Sequence, residues 1–280
     1  MANRKAAFFA TALFSLALGA SPALGGWKWD NGQGGGGGGN GNGNAEEYDE
    51  AEIFFELNNT DGDLGIHALI DGEDWRSLSI RDKKKKKLLD ILVAGSLRRQ
   101  GLTEIFFESA EPNFDDLDPE EFFDRFPPGT YRISGKTTEG GKLKSETEIT
   151  HVIPAGPVFT INGIPARPLD DSDCDEENPT EISNPIVIRW NAVTESHPDL
   201  GEEDADIEII KYEAVAEWED EEEQVFTSNV LIQPDGSASY EVTVSPEFFV
   251  DGTEVKFEVL AREESFNQTA TESCPFEFVD

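Results

Sequence analysis

The pentapeptide EIFFE stands at residues 52–56 and again at 104–108, and its reading decides the fold. In an extended chain Ile53 and Phe55 lie on one face and Phe54 on the other, and Ile105, Phe107 and Phe106 repeat that arrangement. Each copy is therefore apolar on both faces. Beyond the five residues the copies diverge at once, LNNTDGDLGIHAL against SAEPNFDDLDPEE, whereas a true repeat stays similar over a whole structural unit. They read as two independent strands, each with a core face and a second face covered by other residues. Phe122, Phe123 and Phe126 are the candidates for that cover.

Outward from these copies the pattern is the same. EIFFELN, LGIHALID, WRSLSIRD, LLDILVAG, LTEIFFES, GTYRISGKT and KLKSETEITHVI are short β-prone runs punctuated by Asp-Gly, Pro-Gly and Gly-Gly. One run breaks the period. In DPEEFFDRF, Asp118 is placed to cap, Pro119 to begin, and the following acids to favour the positive end of a short helix. Strands with one helical insert predict a β-sandwich over residues 46–154.

The chain begins with an address. Arg4 and Lys5 precede the apolar run AAFFATALFSLALG and the small residues Ala23-Leu24-Gly25, the pattern of a secretory signal peptide over residues 1–25. The apolar run is shorter than the ~20 residues needed to cross a bilayer, so no membrane span is expected. Residues 26–45, rich in Gly and Asn, read as a disordered, flexible tether. These features predict a secreted or periplasmic protein. In that setting the two cysteines, Cys174 and Cys274, are expected to form a disulfide.

Charge excludes one partner class. With 58 acidic and 22 basic residues the formal net charge is -36, which repels nucleic acid. The densest acidity, 21 carboxylates against Arg189 and Lys211, lies between Asp170 and Glu223 and reads as solvated loops. No cofactor is expected, with calcium on those loops as the alternative. Three near-motifs fail on spacing or context. NNTDGDLG has Leu64 where a calcium loop needs glycine, GTYRISGKT has one residue too many for a phosphate loop, and KKKKK at 83–87 reads as a solvated hairpin turn. His67, His151 and His197 are scattered, with neither a zinc-protease motif nor a nucleophile elbow around them, and no enzyme is predicted.

After the Pro154–Pro157 linker, residues 155–280 resemble a fibronectin type III domain of the immunoglobulin-like class. NPIVIRWNAV is similar to that family's B strand with its buried Trp190, IKYEAVAEWE to its C strand around Tyr212, and VSPEFFVDGTEVKFEVLARE to its E–F corner and F strand. Phe257 stands where the family commonly has a tyrosine, so the corner hydroxyl is absent. The resemblance implies structural core roles for Trp190, Tyr212 and Phe257 and brings no catalytic residues. The fold class expected is all-β, two tandem β-sandwich domains on a tether. The function expected is a monomeric, exported, non-catalytic binding or adhesion-type module for a protein or polysaccharide. The alternatives are a structural spacer or envelope component and a calcium-dependent binding protein.

Overall fold

One strand organises the first half of the chain. In this computed structural model, which describes residues 45–168, 174–219, 223–232 and 236–280, the runs LGIHALID and WRSLSIRD form a single 19-residue strand, β2 (Asp63–Arg81). The sequence reads these as two runs, one on each side of Asp71-Gly72. Instead the strand bends there, with register shifts between Asp71 and Trp75, and changes partners. Its first part pairs β1 (Glu50–Asn58) on one side, and its second part pairs β3 (Lys87–Leu92). The expected signal peptide and the segment 26–44 lie outside the described residues.

The two EIFFE copies meet on that strand. After the short helix α1 (Leu97–Gln100) comes β4 (Leu102–Glu108), and β1 and β4 flank the same segment of β2, so Ala68 pairs with both Ile53 and Phe107. The repetition is one solution used on both sides of one strand. The helix α2 (Pro119–Arg125) starts as expected, with Asp118 Oδ1 accepting from Glu120 N at 2.8 Å. Its aromatics cover the core face rather than the second face, because Phe55 meets Phe122 at 5.5 Å and Phe123 at 5.6 Å. The second face of the first copy is covered by His67 and Arg262 against Phe54. Antiparallel β5 (Gly129–Thr137) and β6 (Lys142–Ile149) continue the sheet around this first core.

The remaining elements are β7 (Phe159–Ile161), β8 (Ile164–Pro165), β9 (Thr180–Ile182), β10 (Val187–Asn191), β11 (Ile209–Glu219), β12 (Glu223–Leu231), β13 (Ser239–Thr243), β14 (Thr253–Glu263), β15 (Gln268–Glu272) and β16 (Phe276–Phe278). The fold is all-β, in two sheets. A four-stranded sheet, β13-β10-β7-β8, packs against β11, β14 and β16 around a second core. Trp190, Tyr212 and Phe257 sit in that core, each 1% exposed. Tyr212 supplies the polar anchor there, its hydroxyl accepting from Val193 N at 2.7 Å. Cys174 and Cys274 are joined, with Cα atoms 5.4 Å apart.

The long sheet does not stop between the halves. Its order is β12-β11-β14-β15-β1-β2-β5-β6, and β15 pairs with β1 in parallel through Glu56–Gln268, Leu57–Thr269 and Asn58–Ala270. Side chains reinforce this three-residue seam. Asn267 accepts from Phe55 N at 2.8 Å and donates to Val152 O at 2.8 Å and Thr150 Oγ1 at 3.0 Å. Thr269 Oγ1 donates to Pro154 O at 2.7 Å, and His197 Nε2 meets Asn59 Oδ1 at 2.9 Å. The linker itself is packed. A Cβ on Gly156 would lie 2.7 Å from Thr271 Oγ1 and 2.8 Å from Asn59 Nδ2, so a side chain there would displace these groups.

Candidate functional site

Both cores lie on the same side of the long sheet, and its other face mixes polar and charged side chains with the apolar Leu69, Phe106, Val215, Leu260 and Ala270. Strand alternation and the register bring Glu108 of β4, His67 of β2, Glu52, Phe54 and Glu56 of β1, Gln268 and Glu272 of β15, Lys256, Glu258 and Arg262 of β14, and Glu213 and Glu217 of β11 onto it. Residues from both halves thus form one surface.

At the first-half end the polar groups are buried. His67 is 0% exposed, with Nε2 2.9 Å from Glu111 Oε1 and Nδ1 3.8 Å from Glu56 Oε2. Gly65 makes this geometry available, since a Cβ there would fall 1.9 Å from Glu111 Oε1. Gln268 Nε2 donates to Glu56 Oε2, and Glu56 Oε1 is buried with no hydrogen-bond partner among the described residues. At the seam the Arg262 guanidinium lies 4.5 Å from the Phe54 ring centre and 5.1 Å from that of Phe266, while its Nη2 meets Glu52 Oε2 at 2.6 Å. Phe266 holds φ +76°, a backbone conformation costly for a bulky residue, at the point where its ring stacks on that cation.

Toward β11 the carboxylates outnumber their bases. Lys256 pairs with Glu272 at 2.8 Å and Lys211 with Glu213 at 3.3 Å, which leaves Glu217 and Glu258 without an ion pair among the described residues. Burial, then the charges of Glu272, Glu217, Glu213 and Asp61, pushes Glu258 up to about 8. Burial, then Glu111 and Asp61, pushes Asp63 up to about 7. Burial chiefly also raises Glu56, Glu108 and Glu217. An uncompensated carboxylate face of this kind is stabilised by protons or by a cationic ligand.

This arrangement fixes a pH dependence. A carboxyl that holds its proton more tightly folded than unfolded contributes stability that is complete below its unfolded value near 4. That contribution is lost as pH rises through the folded value, here a window from about 4.5 to 8. Asp90, Glu146 and Glu247 are shifted the other way, but they are exposed and act below that window. The melting temperature should therefore be highest near pH 5 and fall toward pH 8. At about 1.4 kcal/mol per pK unit, discounted for partial solvent screening, Glu258 accounts for about 2 kcal/mol of that loss. Glu258→Gln should flatten the profile, and a melting temperature that rises from pH 5 to pH 8 would refute this account of the face.

The other predicted positions lie elsewhere. His151 Nε2 meets Phe126 O at 2.9 Å, and its ring lies 4.5 Å from Phe123, so it belongs to the packing of α2. Burial lowers the buried His197, which serves the seam. The acidic segment after the disulfide lines a shallow, open groove of about 550 Å³ with Arg167, Cys174, Asp175, Glu176 and Glu177. Asp175 is engaged locally, its Oδ1 accepting from Asn178 N at 3.1 Å. Among the described residues no group of three or more His, Cys, Asp or Glu side chains is placed to hold a metal ion. In the KKKKK turn, Asp82 Oδ1 accepts from Lys86 N at 2.6 Å and Lys85 takes φ +65°. Sequence reasoning missed the shared face, although the alternation of β14, with Glu254, Lys256, Glu258 and Arg262 opposite Val255, Phe257 and Val259, carried its signal.

Comparison with known proteins adds little. No family profile matches the chain, and no curated protein matches it. Among solved structures it is similar to the FN1–FN3 domains of chicken CNTN1, at 10% identity and a TM-score of 0.32, covering 84% of this chain and 69% of that one. It is also similar to a tetra-tandem repeat in the extending region of a large adhesion protein, at 12% identity and a TM-score of 0.23, covering 81% of this chain and 50% of that one. At these scores neither likeness carries a functional conclusion.

Proposed function

We propose that the chain is an exported, non-catalytic binding or adhesion-type module whose two halves, 46–154 and 155–280, act as one rigid platform. The observation that carries this reading is the long sheet, which runs through both halves and bears on its second face charged residues from each, interspersed with Val215, Leu260 and Ala270. The second half is read as fibronectin type III-like, supported by two sheets packed around Trp190, Tyr212 and Phe257. Export to an oxidising compartment, secreted or periplasmic, is supported by the Cys174–Cys274 bond. The ligand class is a protein or polysaccharide.

A glycan array combined with affinity capture from envelope extract, using disulfide-intact protein, tests the reading. A saturable ligand is expected, and no capture on either would leave a spacer as the function. The same protein settles the calcium question. Sodium chloride should raise the melting temperature by screening a charge of -36, and calcium at equal ionic strength should add nothing further. A calcium-only increase would make the module a calcium-dependent binder.

A further inference from the structure

Among the single-partnered strands of the long sheet, the two at the ends of its main path, β6 and β12, are built on different rules. At one end β6 carries Lys142, Lys144, Glu146 and Glu148 at alternate positions. It is also partly covered, since Glu46 N donates to Lys142 O and Lys144 N to Glu46 O, each at 2.8 Å. Charge and cover of this kind keep an edge from adding strands. At the other end β12 carries no charge from Gln224 to Leu231, in a chain of which 29% is charged.

The register shows what that edge offers. Ile232 N donates to Ile210 O at 3.2 Å, and Val230 stands opposite Tyr212, so the main-chain groups of residues 224, 226, 228 and 230 point inward to β11. Those of Val225, Thr227, Asn229 and Leu231 point outward, and no strand pairs with them among the described residues. The side chains of these four lie on the charged face of the sheet, opposite Glu217, Val215, Glu213 and Lys211 of β11. Leu231 is 58% exposed. A strand added here would lie about 10 Å from β11, a gap that a lysine and a glutamate side chain together span. It would meet Glu223 directly and Glu217 beyond it. A second copy of the chain would bring a further charge of -36, whereas a basic strand is complementary.

We propose that the β12 edge takes up an extended, basic peptide segment of a partner protein by strand addition. The segment's main chain pairs with Val225, Thr227, Asn229 and Leu231, and its alternate lysine or arginine side chains lie toward Glu217 and Glu223. The inference rests on the binding reading above and names the partner class for it.

Three capped nine-residue peptides test it by calorimetric titration into the disulfide-intact protein: alternating lysine and valine, the same with glutamate for lysine, and the lysine peptide with alternate main-chain nitrogens methylated. Only the first should bind. Thr227→Pro removes an outward donor and leaves the bonds to β11 in place, so it should fold, as an unchanged circular dichroism spectrum would show. It should weaken binding about tenfold, or ~1.4 kcal/mol. Equal binding of the glutamate or methylated peptide, or unaltered affinity of Thr227→Pro, would overturn the proposal. So would a dimer abolished by Thr227→Pro, which would make a second copy the occupant. If a partner captured from extract binds Thr227→Pro as well as the parent, the edge assignment falls and the binding reading stands. If nothing is captured, the binding reading falls, and the peptides still decide the edge.

Discussion

Asn267→Ala is expected to destabilise both halves of the protein together, by about 2 to 6 kcal/mol. Asn267 is 1% exposed; its side chain hydrogen-bonds β1 and the 150–152 segment, while its main-chain N–H donates to Glu263 Oε1 at 3.1 Å beside the β14–β15 turn. Alanine would leave the buried Phe55 N–H and the part-buried Val152 carbonyl without this partner, and a buried group left so costs about 1 to 3 kcal/mol. At about 2 to 4 °C per kcal/mol for a chain of this size, the melting temperature should fall by roughly 10 °C. Thermal melts followed by near-ultraviolet circular dichroism give the answer. A fall of under about 2 °C would mean that the seam contributes little to stability.

Loss of the Cys174–Cys274 bond should have an effect of similar size. The bond spans 100 residues, and closing a loop of that length restricts the unfolded chain by about 4.7 kcal/mol in the chain-entropy model. Cys274 lies two residues past the end of β15, and its N–H donates to Ala166 O at 2.8 Å, so the bond ties the second half's entry to the strand that forms the seam. Reduction should lower the melting temperature by more than 10 °C and add two alkylation sites by mass. Alkylation of both cysteines without reductant would contradict the bond.

Local pattern announced the strands and long-range pairing did not. The run GTYRISGKT alternates in period two and precedes a Gly140-Gly141 turn, and it forms β5 as read. Asp118-Pro119 capped a helix for the same reason, because capping depends on three or four adjacent residues. Asp71-Gly72 misled because a dipeptide that favours turns also serves a bend inside a strand, and only the partners of β2 distinguish the two. The seam pairs residues 56–58 with 268–270, more than 200 positions apart, and Asn267 in FNQT has the look of an ordinary loop residue. Its role appears only once Phe55 N is seen to need an acceptor. The charge-free stretch from Gln224 to Leu231 was visible in the sequence. It acquired meaning when the topology placed it at an edge.

The central claim is that one sheet makes the two cores a single cooperative body, and differential scanning calorimetry of residues 42–280 tests it most directly. The account predicts one transition, with calorimetric and van't Hoff enthalpies equal, that moves as a whole to lower temperature in Asn267→Ala. Two separable transitions, with only one of them moved by Asn267→Ala, would contradict it.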